Sequence, residues 1–97
     1  VSDYILLMHK TPDGEPAEAW DRYIATLEQA GHLRGGSAIG GGIACHKDGA
    51  DAAITAHLTG FIRIEAESFE AARGLLAGNP VYEAGGIVEI RELPKTN

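Results

Sequence analysis

A chain of 97 residues, 44% apolar and 23% charged, has material for one hydrophobic core, so residues 1–97 are expected to form a single domain. With 14 acidic residues against 8 basic ones the net charge is −6, and Lys and Arg never cluster without intervening acids, which argues against nucleic acid or an anionic membrane as partner. The longest apolar run, Tyr4 to Met8, is far short of the ~20 residues of a membrane span, no basic-then-apolar leader is visible, and the lone Cys45 excludes a disulfide within one chain, so a cytoplasmic location is expected.

In chain order, Asp3 to His9 reads as a strand with Tyr4, Leu6 and Met8 on one face and Ile5, Leu7 and His9 on the other. Both faces are apolar almost to the end, the pattern of a strand in mid-sheet. Thr11-Pro12-Asp13-Gly14 supplies turn chemistry. A helix is expected from Pro16 to Ala30, since proline suits a first turn whose N–H groups lack partners, and Trp20, Tyr23, Ile24 and Leu27 recur at helical spacing. Gly31 ends it as a left-handed residue. His32 to Ile39 is the second expected strand, with Gly35 and Gly36 permitting a bulge or a close backbone approach.

After Gly40-Gly41-Gly42, a hairpin is expected from Ile43–His46 through Asp48-Gly49 to Ala53–Thr55, in the least determined stretch of the chain, residues 40–59. Cys45 reads there as a small strand residue. Gly60 to Glu65 is a strand with Ile62 and Ile64 on one side and Phe61 and Arg63 on the other. Ser68 is an N-cap for a second helix whose buried stripe is Phe69, Ala72, Leu75 and Leu76, stopped by Gly78-Asn79-Pro80. Ile87 to Leu93 forms the last strand, Val88 and Ile90 facing the helices and Ile87, Glu89, Arg91 and Leu93 facing away. Only Lys95-Thr96-Asn97 reads as a loose tail.

Two βαβ halves joined by a hairpin describe an α+β, ferredoxin-like βαββαβ fold, a four-stranded antiparallel sheet with both helices on one face. The other face would present Ile5, Leu7, Phe61, Ile87 and Leu93, too apolar for water, which implies that two copies pair sheet to sheet as a homodimer.

The segment Asn79-Pro80-Val81-Tyr82-Glu83-Ala84-Gly85, followed by Val88-Glu89-Ile90-Arg91, resembles the C-terminal signature of the YCII-related family of dimeric α/β-barrel proteins. The opening Tyr4-Ile5-Leu6-Leu7-Met8-His9, Ala30-Gly31-His32-Leu33, Gly35-Gly36-Ser37, Leu58-Thr59-Gly60 and Ser68-Phe69-Glu70-Ala71-Ala72 resemble it in the same order, so the likeness spans nearly the whole chain. The resemblance implies a dimeric α/β barrel with a small pocket in each subunit. Some relatives use a His-Asp pair for proton transfer, and one branch removes chloride from a chlorinated hydroxyquinol ring. In that pattern the histidine lies in the first helix. Here that helix has none, with Trp20 near its place, and Thr55-Ala56-His57-Leu58 stands where longer relatives carry an Asp-Gly-Pro-Phe loop. The dyad is therefore not carried over.

Among the chain's own residues, His9 ends an apolar strand where its charge can change near neutral pH, and it reads either as a general acid or base or as a strand-end histidine bonded to a carbonyl. Arg63 and Arg91, with Glu89, share the face turned from the helices on strands expected to be neighbours. They could hold a planar anion or pair with one another. His57, in a loop before the third strand, is a pocket-mouth acid or base or a solvated loop residue, while Trp20 and Tyr23 line an aromatic pocket or are core. The Gly35–Gly42 cluster lacks the Gly-Lys-Ser/Thr ending of a phosphate loop, and Cys45, His46 and His57 lack metal-ligand spacing, so no cofactor and no metal are expected. The expected function is a cofactor-independent enzyme, of the proton-transfer lyase or isomerase type, acting on a small polar or aromatic molecule. The alternative is a non-catalytic ligand-binding module or an accessory dimerisation module.

Overall fold

A computed structural model of the chain describes residues 1–95; Thr96 and Asn97 of the expected tail lie outside the described residues. Seven elements follow one another: β1 (Ser2–His9), α1 (Ala17–Gln29), β2 (Leu33–Ala38), β3 (Leu58–Ala66), α2 (Phe69–Gly74), α3 (Pro80–Glu83) and β4 (Val88–Leu93). The strands form an antiparallel sheet in the order β2-β3-β1-β4, and the helices pack on one of its sides, as a ferredoxin-like fold requires.

Strand parity decides which side chains meet the helices. Tyr4, Leu6 and Met8 of β1 and Ile62 and Ile64 of β3 are buried against Tyr23 and Leu27 of α1, with Ala72, Leu76 and Val81 completing the core. Burying each large apolar side chain contributes roughly 1.5–3 kcal/mol, so this layer supplies most of the drive to fold. α1 ends as its sequence dictates: Gly31 has φ 79°, its N–H donates to Glu28 O (3.1 Å) and the next N–H, of His32, to Leu27 O (3.0 Å). Ser68 caps α2 by accepting from Ala71 N at 3.1 Å.

Three expectations need correction. The hairpin over residues 43–55 reduces to a single bridge between Ala44 and Ala52, with Ala52 N donating to Ala44 O at 2.8 Å. Gly40, Gly41 and Gly42 bring no side chain that could pack such a strand, and Cys45 is exposed rather than part of a sheet. Phe69 is not in the buried stripe; it is half exposed at the first turn of α2, its ring edge against Tyr4 with centroids 4.9 Å apart. Finally, Gly78-Asn79-Pro80 stops one helix and starts another, because the fully buried Asn79 side chain accepts from Val81 N (3.0 Å) and Tyr82 N (3.1 Å) and Pro80 takes the first position of α3.

Two bulges shape the sheet. Arg34 is the extra residue in β2, between the Leu33↔Ile64 and Gly35↔Arg63 pairs. Thr59 is the extra residue in β3, so His9 pairs with Leu58 while its predecessor Met8 pairs with Gly60. The described residues span 46 × 41 × 18 Å with a radius of gyration of 14.9 Å. A compact chain of this length would give about 12.5 Å. The excess reflects a flat shape, in which the helices of the described residues lie on one side of the sheet.

Candidate functional site

The sheet face away from the helices carries a polar cluster at the end of its central strand. His9 follows the apolar run of β1, and β4 lies beside it with Leu7 opposite Glu89 and Ile5 opposite Arg91. That register sets Glu89 diagonally across from His9, with His9 Nε2 and Glu89 Oε1 3.4 Å apart and the histidine side chain only 20% exposed. The other carboxylate oxygen accepts from Arg91 Nη1 at 3.0 Å. The Arg91 guanidinium, and then His9, hold the Glu89 carboxyl below its usual range. An ionised carboxylate can only accept, so Nε2 is the donor in this pair, and in the neutral imidazole it is then Nδ1 that carries the lone pair. The β3 bulge brings His57 alongside: Lys10 N donates to His57 O at 2.7 Å, and the His57 ring meets that of His9 edge to face, centroids 4.7 Å apart.

The remaining candidates lie elsewhere. β1 separates β3 from β4, so Arg63 and Arg91 are not on neighbouring strands but flank Ile5 from opposite sides. Arg63 Nη2 donates to Arg34 O at 2.7 Å beside Gly35, and does not meet Glu89. Tyr23 is core: its hydroxyl donates to Leu75 O at 2.7 Å, and burial raises its pKa, with the neighbouring Asn79 side chain acting weakly in the opposite direction. His9, Glu89, Arg91 and His57 are thus brought together, while Arg63, Trp20 and Tyr23 are not part of that cluster.

Trp20 belongs to a different space, a cavity of about 540 Å³ between α1 and the β2–β3 end of the sheet. Its sheet side includes Gly36, Ala38 and Gly60, whose lack of bulk leaves room under Trp20 and Ile24. Gly36 cannot be anything larger in place, since a Cβ there would lie 2.6 Å from Phe61 O. Glu15 enters from the segment before the helix, one carboxylate oxygen accepting from the buried Thr11 hydroxyl. No local motif marks Glu15 in the sequence; the signal for its cavity is the glycine-rich strand facing the helix that carries Trp20.

Among the described residues no three of His, Cys, Asp and Glu gather as a metal site, and no helix is long and apolar enough to cross a membrane.

Neither a protein-family model nor a curated protein matches this chain. Its structure is similar to that of 5-chloro-2-hydroxyhydroquinone dehydrochlorinase (TftG) from Burkholderia phenoliruptrix, solved in complex with 2,5-dihydroxybenzoquinone, with a TM-score of 0.61 over 97% of this chain and 95% of that one. What the two share is the fold. At 14% identity the likeness carries no residue roles, and those rest on the geometry described above.

Proposed function

We propose that this chain is a small-molecule enzyme of the YCII-related kind that acts without a cofactor, moving a proton in a lyase or isomerase step on a small hydroxylated aromatic compound. The observation that carries the reading is the contact of His9 Nε2 with Glu89 Oε1 at the end of the apolar run of β1. In this reading His9 Nδ1 is the general base that takes a proton from the substrate and later returns it. Glu89 fixes the tautomer and stabilises the imidazolium that forms, without itself being protonated. At 3.4 Å the pair is longer than a closed N–H···O bond, a looseness common before ligand binding. Arg91, largely exposed beyond Glu89, has further N–H groups with which to hold a phenolate or carboxylate. Arg63, tied to the Arg34 carbonyl, is the weaker candidate for that role.

The same reading takes the protein as a homodimer. Ile5, Leu7, Phe61 and Leu93 are half-buried on the face opposite the helices, and Ile87 at its edge is 61% exposed. A second copy laid sheet to sheet would cover them and enclose His9 in a drier space, where its pairing with Glu89 strengthens. The solved enzyme of the same fold acts on a chlorinated hydroxyhydroquinone, and this supports an aromatic substrate class for the present chain.

The test is to incubate the protein in deuterated buffer with hydroxylated and chlorinated aromatics, 5-chloro-2-hydroxyhydroquinone included, following ring-proton exchange by NMR and chloride release. Turnover by the wild type, slowed about 10²–10⁴-fold in His9→Ala, is expected. Turnover that survives His9→Ala unchanged, or none with any compound, removes the proposal.

A further inference from the structure

We infer that the cavity beneath α1 is a second binding site, one that takes a small ring-shaped molecule bearing a cationic or neutral hydrogen-bond donor and rejects anions. It lies on the helical side of the sheet, opposite His9, and the inference does not depend on the function proposed above. Its volume of about 540 Å³ is within the range of small-molecule sites. Met8, Trp20, Ile24, Leu33 and Ile62 make its wall largely apolar, and the bare backbone of Gly36 lets a flat ring lie close to the sheet. Gly36, Ser37 and Ala38, which line it from the edge strand β2, are all exposed, so the space opens to solvent along that edge.

Against that apolar lining stands a single ionisable side chain, Glu15. Thr11, itself buried, donates to Oε2 and holds the carboxylate in place, and among the described residues nothing donates to Oε1. A fixed acceptor with one unpartnered oxygen at the edge of an apolar space recognises an ammonium, amidine or hydroxyl donor. A carboxylate or phenolate there would face a like charge with no compensating cation on the lining. The net charge of −6 acts in the same direction at longer range.

Trp20 is the chain's one tryptophan, so its emission reports on this cavity alone. Titrating the full chain with benzylamine, benzyl alcohol and benzoate should shift Trp20 emission saturably for the first two, with benzylamine bound roughly tenfold or more tightly than benzoate. Glu15→Gln should abolish that preference while leaving the response to benzyl alcohol, and Ala38→Phe, which fills the entrance from an exposed position, should suppress the response to all three. His9→Ala should change none of it, which separates this site from the proton-transfer site. Benzoate binding as tightly as benzylamine, a preference unchanged by Glu15→Gln, or no saturable response at all would overturn the inference.

Discussion

At the residue scale, the proposed chemistry turns on which nitrogen of His9 faces Glu89. Glu89 is depressed below its ordinary value of 4.5, so its contribution to stability is present above that value and is lost as pH falls through the lower folded pKa. Urea midpoints measured against pH should therefore drop on the acid side, and Glu89→Gln should flatten that drop. Tyr23 gives the opposite sign. Burial raises its pKa above 10.0, so as pH rises past 10.0 the unfolded chain gives up the phenolic proton before the folded one does, and stability falls. Tyr23→Phe should remove that alkaline slope and, by leaving the Leu75 carbonyl without its donor, cost about 1 kcal/mol near neutral pH. His9 and Glu89 could both be assigned from sequence to the face away from the helices, because strand parity is a two-residue rule. Their contact was not legible, because it depends on β4 lying beside β1 and on the register between them, which no local pattern encodes.

At the element scale, structure that follows from local chemistry was readable and structure that follows from tertiary burial was not. Gly31 and Ser68 announce the ends of α1 and α2 because each satisfies orphan backbone groups by itself. α3 is only four residues long and exists because Asn79 is buried and caps it, so a stretch that reads as a stop holds a further turn of helix. Asn79→Ala should lower stability by about 1–2 kcal/mol in urea unfolding, where an exposed breaker would matter little. Gly36→Ala is a sharper probe of the sheet. Its Cβ would meet the Phe61 carbonyl, a backbone atom that cannot swing aside, so β2 must part from β3 at a cost of about 1–3 kcal/mol, with faster amide exchange along β2. The segment over residues 40–57 differs for the complementary reason, because hairpin turn residues are present but its apolar side chains, Ile43 and Ile54, reach no core and stay exposed.

At the scale of the whole molecule, the decisive feature is one-sidedness. A sheet with helices on one face only, in a body 18 Å thin, leaves Leu7 and Phe61 paired side by side at the centre of its uncovered surface. This face was legible because β1 is apolar on both sides. The account holds that a second copy covers it and completes the surroundings of His9. Sedimentation velocity at low micromolar concentration, on the wild type and on Leu7→Asp, tests this most directly. The prediction is a compact dimer for the wild type and a folded monomer for Leu7→Asp, since a charge at the centre of the buried face should break the pairing without touching the core. A wild-type protein that sediments as a folded monomer would contradict it.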